Sequence, residues 1–361
     1  MKIATAIHEN KTRVGLLSKD EQSIHFYELS DEEHALGALL LIERSANHQP
    51  LPPLQTHGVA LSQVHLTAPL PRPVRNLFCV GRNYHAHANE LASSVFKDSP
   101  VDPQSWPIVF TKVPQCVVGP YDTVLLPNSV STQIDYEAEL AVVIGMGGKN
   151  ISRAQAMSHV YGYTIVNDVT ARDVQMRHQQ WDLGKSFDTF CPMGPWLITA
   201  DAFDGLNAHV RCWVNGELRQ DGHARQMIFD IPSLIETCSR GITLLTGDII
   251  ATGTPAGVGM GQKPPIYLKE GDVVLLNPKA IVFYMAFFPL FVDRQQPPTF
   301  LTFAVMAATI AVLTLAYGLV IVVGAHMLSQ RAHAHRLVGF MLNKITGMLL
   351  ISFGLKMALF K

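Results

Sequence analysis

The stretch Ile134-Asp135-Tyr136-Glu137-Ala138-Glu139-Leu140-Ala141-Val142-Val143-Ile144-Gly145 sets two carboxylates one residue apart at the mouth of an apolar run. Residues i and i+2 of a strand share a face, so Glu137 and Glu139 point the same way while Ala138 and Leu140 pack behind them. Two like charges that close are costly without a cation. With no Cys or His beside them, the matching cation is hard and oxygen-seeking: Mg²⁺, Mn²⁺ or Ca²⁺. The other reading of an isolated E-x-E is an exposed strand carrying two solvated carboxylates.

Downstream, Ser152-Arg153-Ala154-Gln155 fits a capping box opening a helix to about Val160. The chain then re-enters the core as Tyr161 to Asn167, an apolar strand ending in Asp168, the third oxygen ligand. Three carboxylates leave half an octahedron for water or a bidentate substrate. A polar run, Thr170, Arg172, Asp173 and Gln175, follows, and then Lys185 in Gly-Lys-Ser-Phe-Asp-Thr, either a surface lysine or a cation placed for a ligand.

Upstream, the buried strand through Cys79 and Val80 runs into a Gly turn at Gly81-Arg82-Asn83-Tyr84. If the next segment is helical, His87 and Glu90 share a face at i and i+3. A carboxylate there can orient the imidazole as a general base; a solvated polar face is the alternative. Lys112 ends a short strand and either meets an anionic substrate or lays its stem along apolar surface. Residues 1–70 read as a small β-rich module with one helical run over 31–42, closed by a Pro-rich linker. A hairpin with an Asn215-Gly216 turn and a helix over 231–238 supply scaffold.

At 361 residues the chain has room for two or three domains. A net charge of −1 and a pI near 6.9 argue against a nucleic-acid surface and for small-molecule partners. Five Cys without C-x-x-C spacing read as reduced thiols in the core of a cytosolic protein. The N-terminus lacks the apolar core of a signal peptide. Mean hydropathy is +0.18, and the excess lies after residue 279.

Six motifs occur together and in order: C-V-G-R-N-Y-x-x-H-x-x-E (79–90), P-x-x-F-x-K (107–112), D-Y-E-A-E-L (135–140), N-D-V-T-A-R-D-x-Q (167–175), G-K-S-F-D-T-F (184–190) and T-G-T-P-A-G-V-G (252–259). This set resembles the fumarylacetoacetate hydrolase superfamily over residues 1 to about 275. The resemblance implies an α+β, mostly β fold, a mixed β-roll or sandwich with the small N-terminal module. It implies a divalent metal, Mg²⁺ or else Mn²⁺ or Ca²⁺, on Glu137, Glu139 and Asp168. It makes His87 and Glu90 a water-activating dyad on a lid and Lys185 a catalytic cation, and it places Arg82, Tyr84, Lys112, Gln175 and Thr254 in the substrate pocket of a homodimer.

The implied chemistry is hydrolysis of a C–C bond in an acylpyruvate or other 2,4-diketo acid through a metal-stabilised enolate. His87 takes a proton from the attacking water. The same site serves oxaloacetate decarboxylation or the hydration and isomerisation of 2-oxo-enoates of aromatic catabolism, and fold likeness does not choose among them.

The family pattern breaks at residues 271–276, where the closing strands of the domain (71–276) are missing and a tail (277–361) begins. Residues 300–327 carry no formal charge and are long enough to cross about 30 Å of hydrocarbon. A second apolar run covers 337–360 with Lys344 and Lys356, and a shorter one covers 280–292. Residues 276–293 and 342–359 resemble the second half of a LysE/RhtB-type amino-acid exporter. The expectation is an α-helical transmembrane tail that anchors a cytoplasmic catalytic domain to the inner or plasma membrane. A rival from another class is an efflux component whose soluble part only binds a ligand.

Overall fold

The computed structural model describes residues 1–92, 105–177 and 180–278. Of the expected tail over 277–361, residues 279–361 lie outside them. Among the described residues, no helix is long and apolar enough to cross a membrane.

The described chain is organised on an eleven-stranded, mainly antiparallel sheet. Its path runs Val59–Ala60, Ser23–Phe26, Lys11–Leu17, Lys2–His8, Leu197–Thr199, Val160–Asn167, Ala138–Ile144, Ile249–Ala251, Leu77–Gly81 and Ile108–Lys112, with His65–Thr67 also paired to Lys2–His8. All seven residues of Ala138–Ile144 are buried, because both faces of the strand are covered. Ala141 and Val143 enter one core with Val166 and Ile249; Leu140, Val142 and Ile144 enter another with Ile165 and Ile250. Two-sided burial is why this strand reads as a continuous apolar run and not as an alternation.

The first core is capped by Leu39, Leu41 and Ile42 of the Leu39–Ala46 helix. The second is capped by Ile231, Leu234 and Ile235 of the Ile231–Ser239 helix, which Asp230 caps through its side chain, and by Val210 and Cys212. All five cysteines are free and buried.

Several local expectations are corrected. The helical run over 31–42 is two helices, Asp31–Ala35 and Leu39–Ala46, separated at Gly37. That glycine has φ +61°, and a Cβ there would lie 2.6 Å from the Pro69 carbonyl oxygen. The expected helix after Ser152 is only a 3-10 turn, Ala156–His159: the Ser152 hydroxyl is spent on the Gln155 side chain and caps no backbone N–H. The N-terminal module shares the large sheet, joined through Lys2 opposite Ile198 and Ile3 opposite Leu197. Beyond the expected break, Val274–Pro278 pairs antiparallel with His209–Val214 and completes a three-stranded sheet with Glu217–His223. The Asn215-Gly216 turn of that hairpin holds both residues at positive φ.

Candidate active site

The antiparallel pairing that sets Ala138 opposite Asn167 brings the ends of two central strands together. Glu137 stands one residue before its strand. Its N–H donates to Asn167 Oδ1 at 3.0 Å, and its carbonyl accepts from the Asp168 N–H at 2.8 Å. The side chains of Glu137, Glu139 and Asp168 therefore converge, with one oxygen from each inside 4.8 Å of the others and all three buried. The solvated reading of E-x-E is excluded by that burial.

Three cations meet this charge from behind and beside it. Lys185 Nζ lies 2.7 Å from Glu137 Oε2 and 2.7 Å from Asp168 Oδ2. Lys112 Nζ donates to Asp168 Oδ1 at 2.8 Å, to the Val169 carbonyl at 3.1 Å and to the Lys185 carbonyl. Arg172 pairs through Nη2 with Glu137 Oε1 at 2.6 Å, through Nε with Asp135 Oδ2 at 2.8 Å, and donates from Nη1 to Gln175 Oε1 at 3.1 Å. Burial alone would raise the Glu137 carboxyl; Lys185 and then Arg172 outweigh it and hold the group far below the carboxylate range.

Glu139 has less help, since Lys185 lowers its carboxyl only in part. Its one backbone donor is Gly253 N at 2.9 Å, and among the described residues it makes no ion pair. Burial first, then the charges of Asp168 and Glu137, push its carboxyl well above the ordinary range. A buried, uncompensated carboxylate beside two others, in an all-oxygen set, fits a hard divalent cation.

The helix His85–Ala92 carries the dyad. His87 is buried, and its Nδ1 lies 3.2 Å from Glu90 Oε2. Glu90 also accepts from Gly257 N, at 3.1 and 3.2 Å to its two oxygens, so the helix is pinned to the Gly-rich loop. Gly261 makes room for that carboxylate: a Cβ there would sit 2.2 Å from Glu90 Oε1. A carboxylate only accepts, so Nδ1 is the donor in this pair.

A small cavity joins these parts. Arg82, His87, Glu137, Glu139, Gln175, Lys185 and Thr254 line it. Arg82 does so from a left-handed backbone, φ +54°, a conformation that costs a non-glycine residue energy and recurs at functional sites. Burial lowers its guanidinium below the ordinary value. The other predicted residues stand behind the wall. Asp168 is covered by Lys112 and Lys185, and Glu90 backs His87. Lys112 is wholly buried, with its ammonium committed to Asp168, and reaches no substrate space. Tyr84 is buried, with no hydrogen-bond partner for its hydroxyl among the described residues.

The family description "Fumarylacetoacetate (FAA) hydrolase C-terminal" matches residues 76–282, more than half of the chain. The chain belongs to the fumarylacetoacetate hydrolase family. As a family member it is 44% identical over 292 residues to the oxaloacetate tautomerase YisK of Bacillus subtilis, across 76% of this chain and 95% of that protein. The solved fumarylacetoacetate hydrolase of Exiguobacterium antarcticum is 39% identical with a TM-score of 0.64, covering 77% of this chain and 95% of that one. The 5-carboxymethyl-2-hydroxymuconate delta-isomerase of Mycobacterium smegmatis is 32% identical with a TM-score of 0.61, covering 78% and 96%. A second description, the LysE type translocator, matches residues 271–360 and overlaps the hydrolase match at 271–282.

Three residues of this hydrolase-family site escape sequence reasoning. Arg172 is the buried hub between Glu137, Gln175 and Asp135. Asp135 accepts from Tyr136, Gly259 and Met260 N–H groups as well as from Arg172, tying the Gly-rich loop to the carboxylate strand. Asn83 bonds Phe229 twice and the Thr252 carbonyl once, fixing the turn that presents Arg82. Each sits inside a quoted motif, yet its long-range partners lie 35 to 169 residues away. The aromatic wall is a fourth omission: Phe110 and Trp181 pack at 5.3 Å, with Lys185 Nζ 4.9 Å from the Phe110 ring centre.

Proposed function

We propose that the chain is a divalent-metal-dependent enzyme that interconverts the enol and keto forms of a short 2-oxo dicarboxylic acid, with oxaloacetate as the substrate and Mg²⁺ as the metal. One observation carries the reading: a carboxylate-oriented imidazole opens into the same cavity as Glu137 and Glu139, two of the three converging carboxylates, in a chain 44% identical to an oxaloacetate tautomerase across 95% of that relative.

Glu137, Glu139 and Asp168 are the residues to hold the cation, which supplies Lewis-acid polarisation of the 2-oxo group. The protein's own part is proton transfer and charge placement. His87 Nε2 takes the proton from the enol oxygen or from the carbon next to the carbonyl and returns it at the other position, while Glu90 stabilises the imidazolium that forms between. Arg82 and Lys185 balance the negative charge of the substrate. Trp181 and Phe110 form an apolar side that keeps bulk water from the reacting atoms.

A second reading keeps the dyad and changes its client: His87 deprotonates water, which attacks the distal carbonyl of an acylpyruvate. The likeness to the Exiguobacterium hydrolase favours it. Under either reading we propose that the catalytic domain forms a homodimer and that the LysE-like tail anchors it to the membrane on the cytoplasmic side. The rival reading, an efflux component, places function in the tail alone.

The test follows enol absorbance and pyruvate release with oxaloacetate and with an acylpyruvate, in Mg²⁺ and then in chelator. Enol loss without pyruvate, abolished by chelator, supports the tautomerase. Pyruvate from the acylpyruvate alone supports hydrolysis, and pyruvate from oxaloacetate indicates decarboxylation. Absence of all three sinks the 2-oxo acid reading.

A further inference from the structure

Gln220 lies in Glu217–His223, on the small three-stranded sheet, outside every motif and outside the cavity wall, and it is fully buried. Its amide is satisfied completely. Oε1 accepts from the Ala138 N–H at 3.0 Å, and Nε2 donates to Thr254 Oγ1 at 2.7 Å and to the Pro255 carbonyl at 2.8 Å. The orientation of the amide follows from its partners: a backbone N–H requires the oxygen, and a carbonyl requires the nitrogen.

That orientation dictates the next group. A threonine hydroxyl has one proton and two lone pairs. One lone pair of Thr254 receives Gln220 Nε2–H, so the proton must turn away, and it goes to the Ala138 carbonyl at 3.0 Å. Ala138, between Glu137 and Glu139, is thereby held at its N–H by Gln220 and at its carbonyl by Thr254. What Thr254 has left for the cavity it lines is a single lone pair.

We infer that Gln220 is a positioning residue that fixes the polarity of the Thr254 hydroxyl, making Thr254 the acceptor that receives the enol O–H as the substrate binds, before His87 takes that proton, and thus a selector of the enol over the keto form. The inference rests on the proposed tautomerase reading. Ketone and carboxylate oxygens are themselves acceptors and gain nothing from a lone pair, whereas the enol hydroxyl donates to it. A threonine free to rotate would serve both forms alike; Gln220 removes that freedom.

The experiment measures kcat and KM for enol oxaloacetate in the Mg²⁺-loaded full-length protein and four variants: Gln220→Met, Thr254→Val, Thr254→Ser and the double variant Gln220→Met/Thr254→Val. Gln220→Met and Thr254→Val each raise KM for the enol roughly 10-fold, with a smaller change in kcat. Thr254→Ser, which keeps the hydroxyl, recovers most of the loss seen with valine. The double variant is no worse than Thr254→Val alone, because Gln220 acts through Thr254; a merely structural glutamine gives multiplied losses. Multiplied losses, or a wild-type KM in Thr254→Val, overturn the inference. If Gln220→Met fails to fold, Gln220→Glu, which keeps an acceptor for the Ala138 N–H and removes the donor facing Thr254, is expected to raise KM likewise, and a wild-type KM there overturns the inference. A wild-type protein that does not consume the enol overturns the functional reading and this inference together, whereas wild-type turnover with unchanged Thr254→Val overturns the inference alone.

Discussion

Lys112 Nζ donates to Asp168 Oδ1 at 2.8 Å with both side chains fully buried, so a lysine whose motif points to substrate is instead spent on a carboxylate. Burial opposes its charge, and Asp168 outweighs burial, so the ammonium titrates above its ordinary range. Asp168 is thus held from both oxygens, by Lys112 on one and Lys185 on the other.

Removing one partner from such a pair strands the other. Lys112→Met is expected to destabilise the fold by about 3–5 kcal/mol, the range for breaking a buried ion pair. The midpoint of urea unfolding at constant slope reads the loss. A change below about 1 kcal/mol removes Lys112 from the structural framework of the site.

Glu139 makes the complementary case. Its carboxyl, pushed up by burial and by Asp168 and Glu137, predicts that Glu139→Gln leaves the melting temperature of metal-free protein unchanged or raises it, while abolishing the rise that Mg²⁺ or Mn²⁺ produces in the wild type. Thermal melts with chelator and with added metal give both numbers. A variant that is still stabilised by metal locates the cation elsewhere.

For the dyad, His87→Ala is expected to lower kcat by about 10²–10⁴-fold, the usual worth of a general base, with little change in stability. Glu90→Gln retains the geometry and loses the charge that supports the imidazolium, so its loss is smaller and lies in kcat more than in KM. Steady-state kinetics on oxaloacetate separate the two. Equal, small effects from both variants disqualify His87 as the proton carrier.

His34 supplies a pH dependence away from the site. The ring is buried, its Nδ1 accepts from the Val14 N–H at 3.1 Å, and burial, then Arg13, lowers its pKa. A depressed folded value means the neutral form belongs to the native state. The contribution is therefore complete above the ordinary value of 6.5 and is lost as pH falls through the lower folded one. Melting temperatures from pH 8 down to 5 should drop more steeply in the wild type than in His34→Asn; parallel curves refute the assignment.

Local pattern went furthest where one strand or one helical turn contains the whole argument. Glu137 and Glu139 face together because of a period of two, and His87 with Glu90 because of a spacing of three. The apolar strand ending in Asp168 is legible for the same reason. Pairings across the chain are not: Arg172 with Asp135, Gln220 with Ala138 and Lys112 with Asp168 lie 37, 82 and 56 residues apart. Nothing in composition says that these meet, and each changes a role. The lysine became a brace, and the polar run after Asp168 became the buried hub of the site. The 3-10 turn at Ala156–His159 was misread for a nearer reason, since a serine and a glutamine at capping-box spacing bonded each other and left the backbone alone.

The pairing of Lys2 with Ile198 and Ile3 with Leu197 has a consequence for the order in which the protein can be made. Lys2–His8 leaves the ribosome nearly two hundred residues before Leu197–Thr199, one of its neighbours, is made. At about 5–20 residues per second, that edge waits on the order of 10–40 s for its partner. Meanwhile Lys11–Leu17 and His65–Thr67 hydrogen-bond the same strand from early on. Lys2–His8 is therefore a half-built seam, held ready by its near neighbours until Leu197–Thr199 has been made.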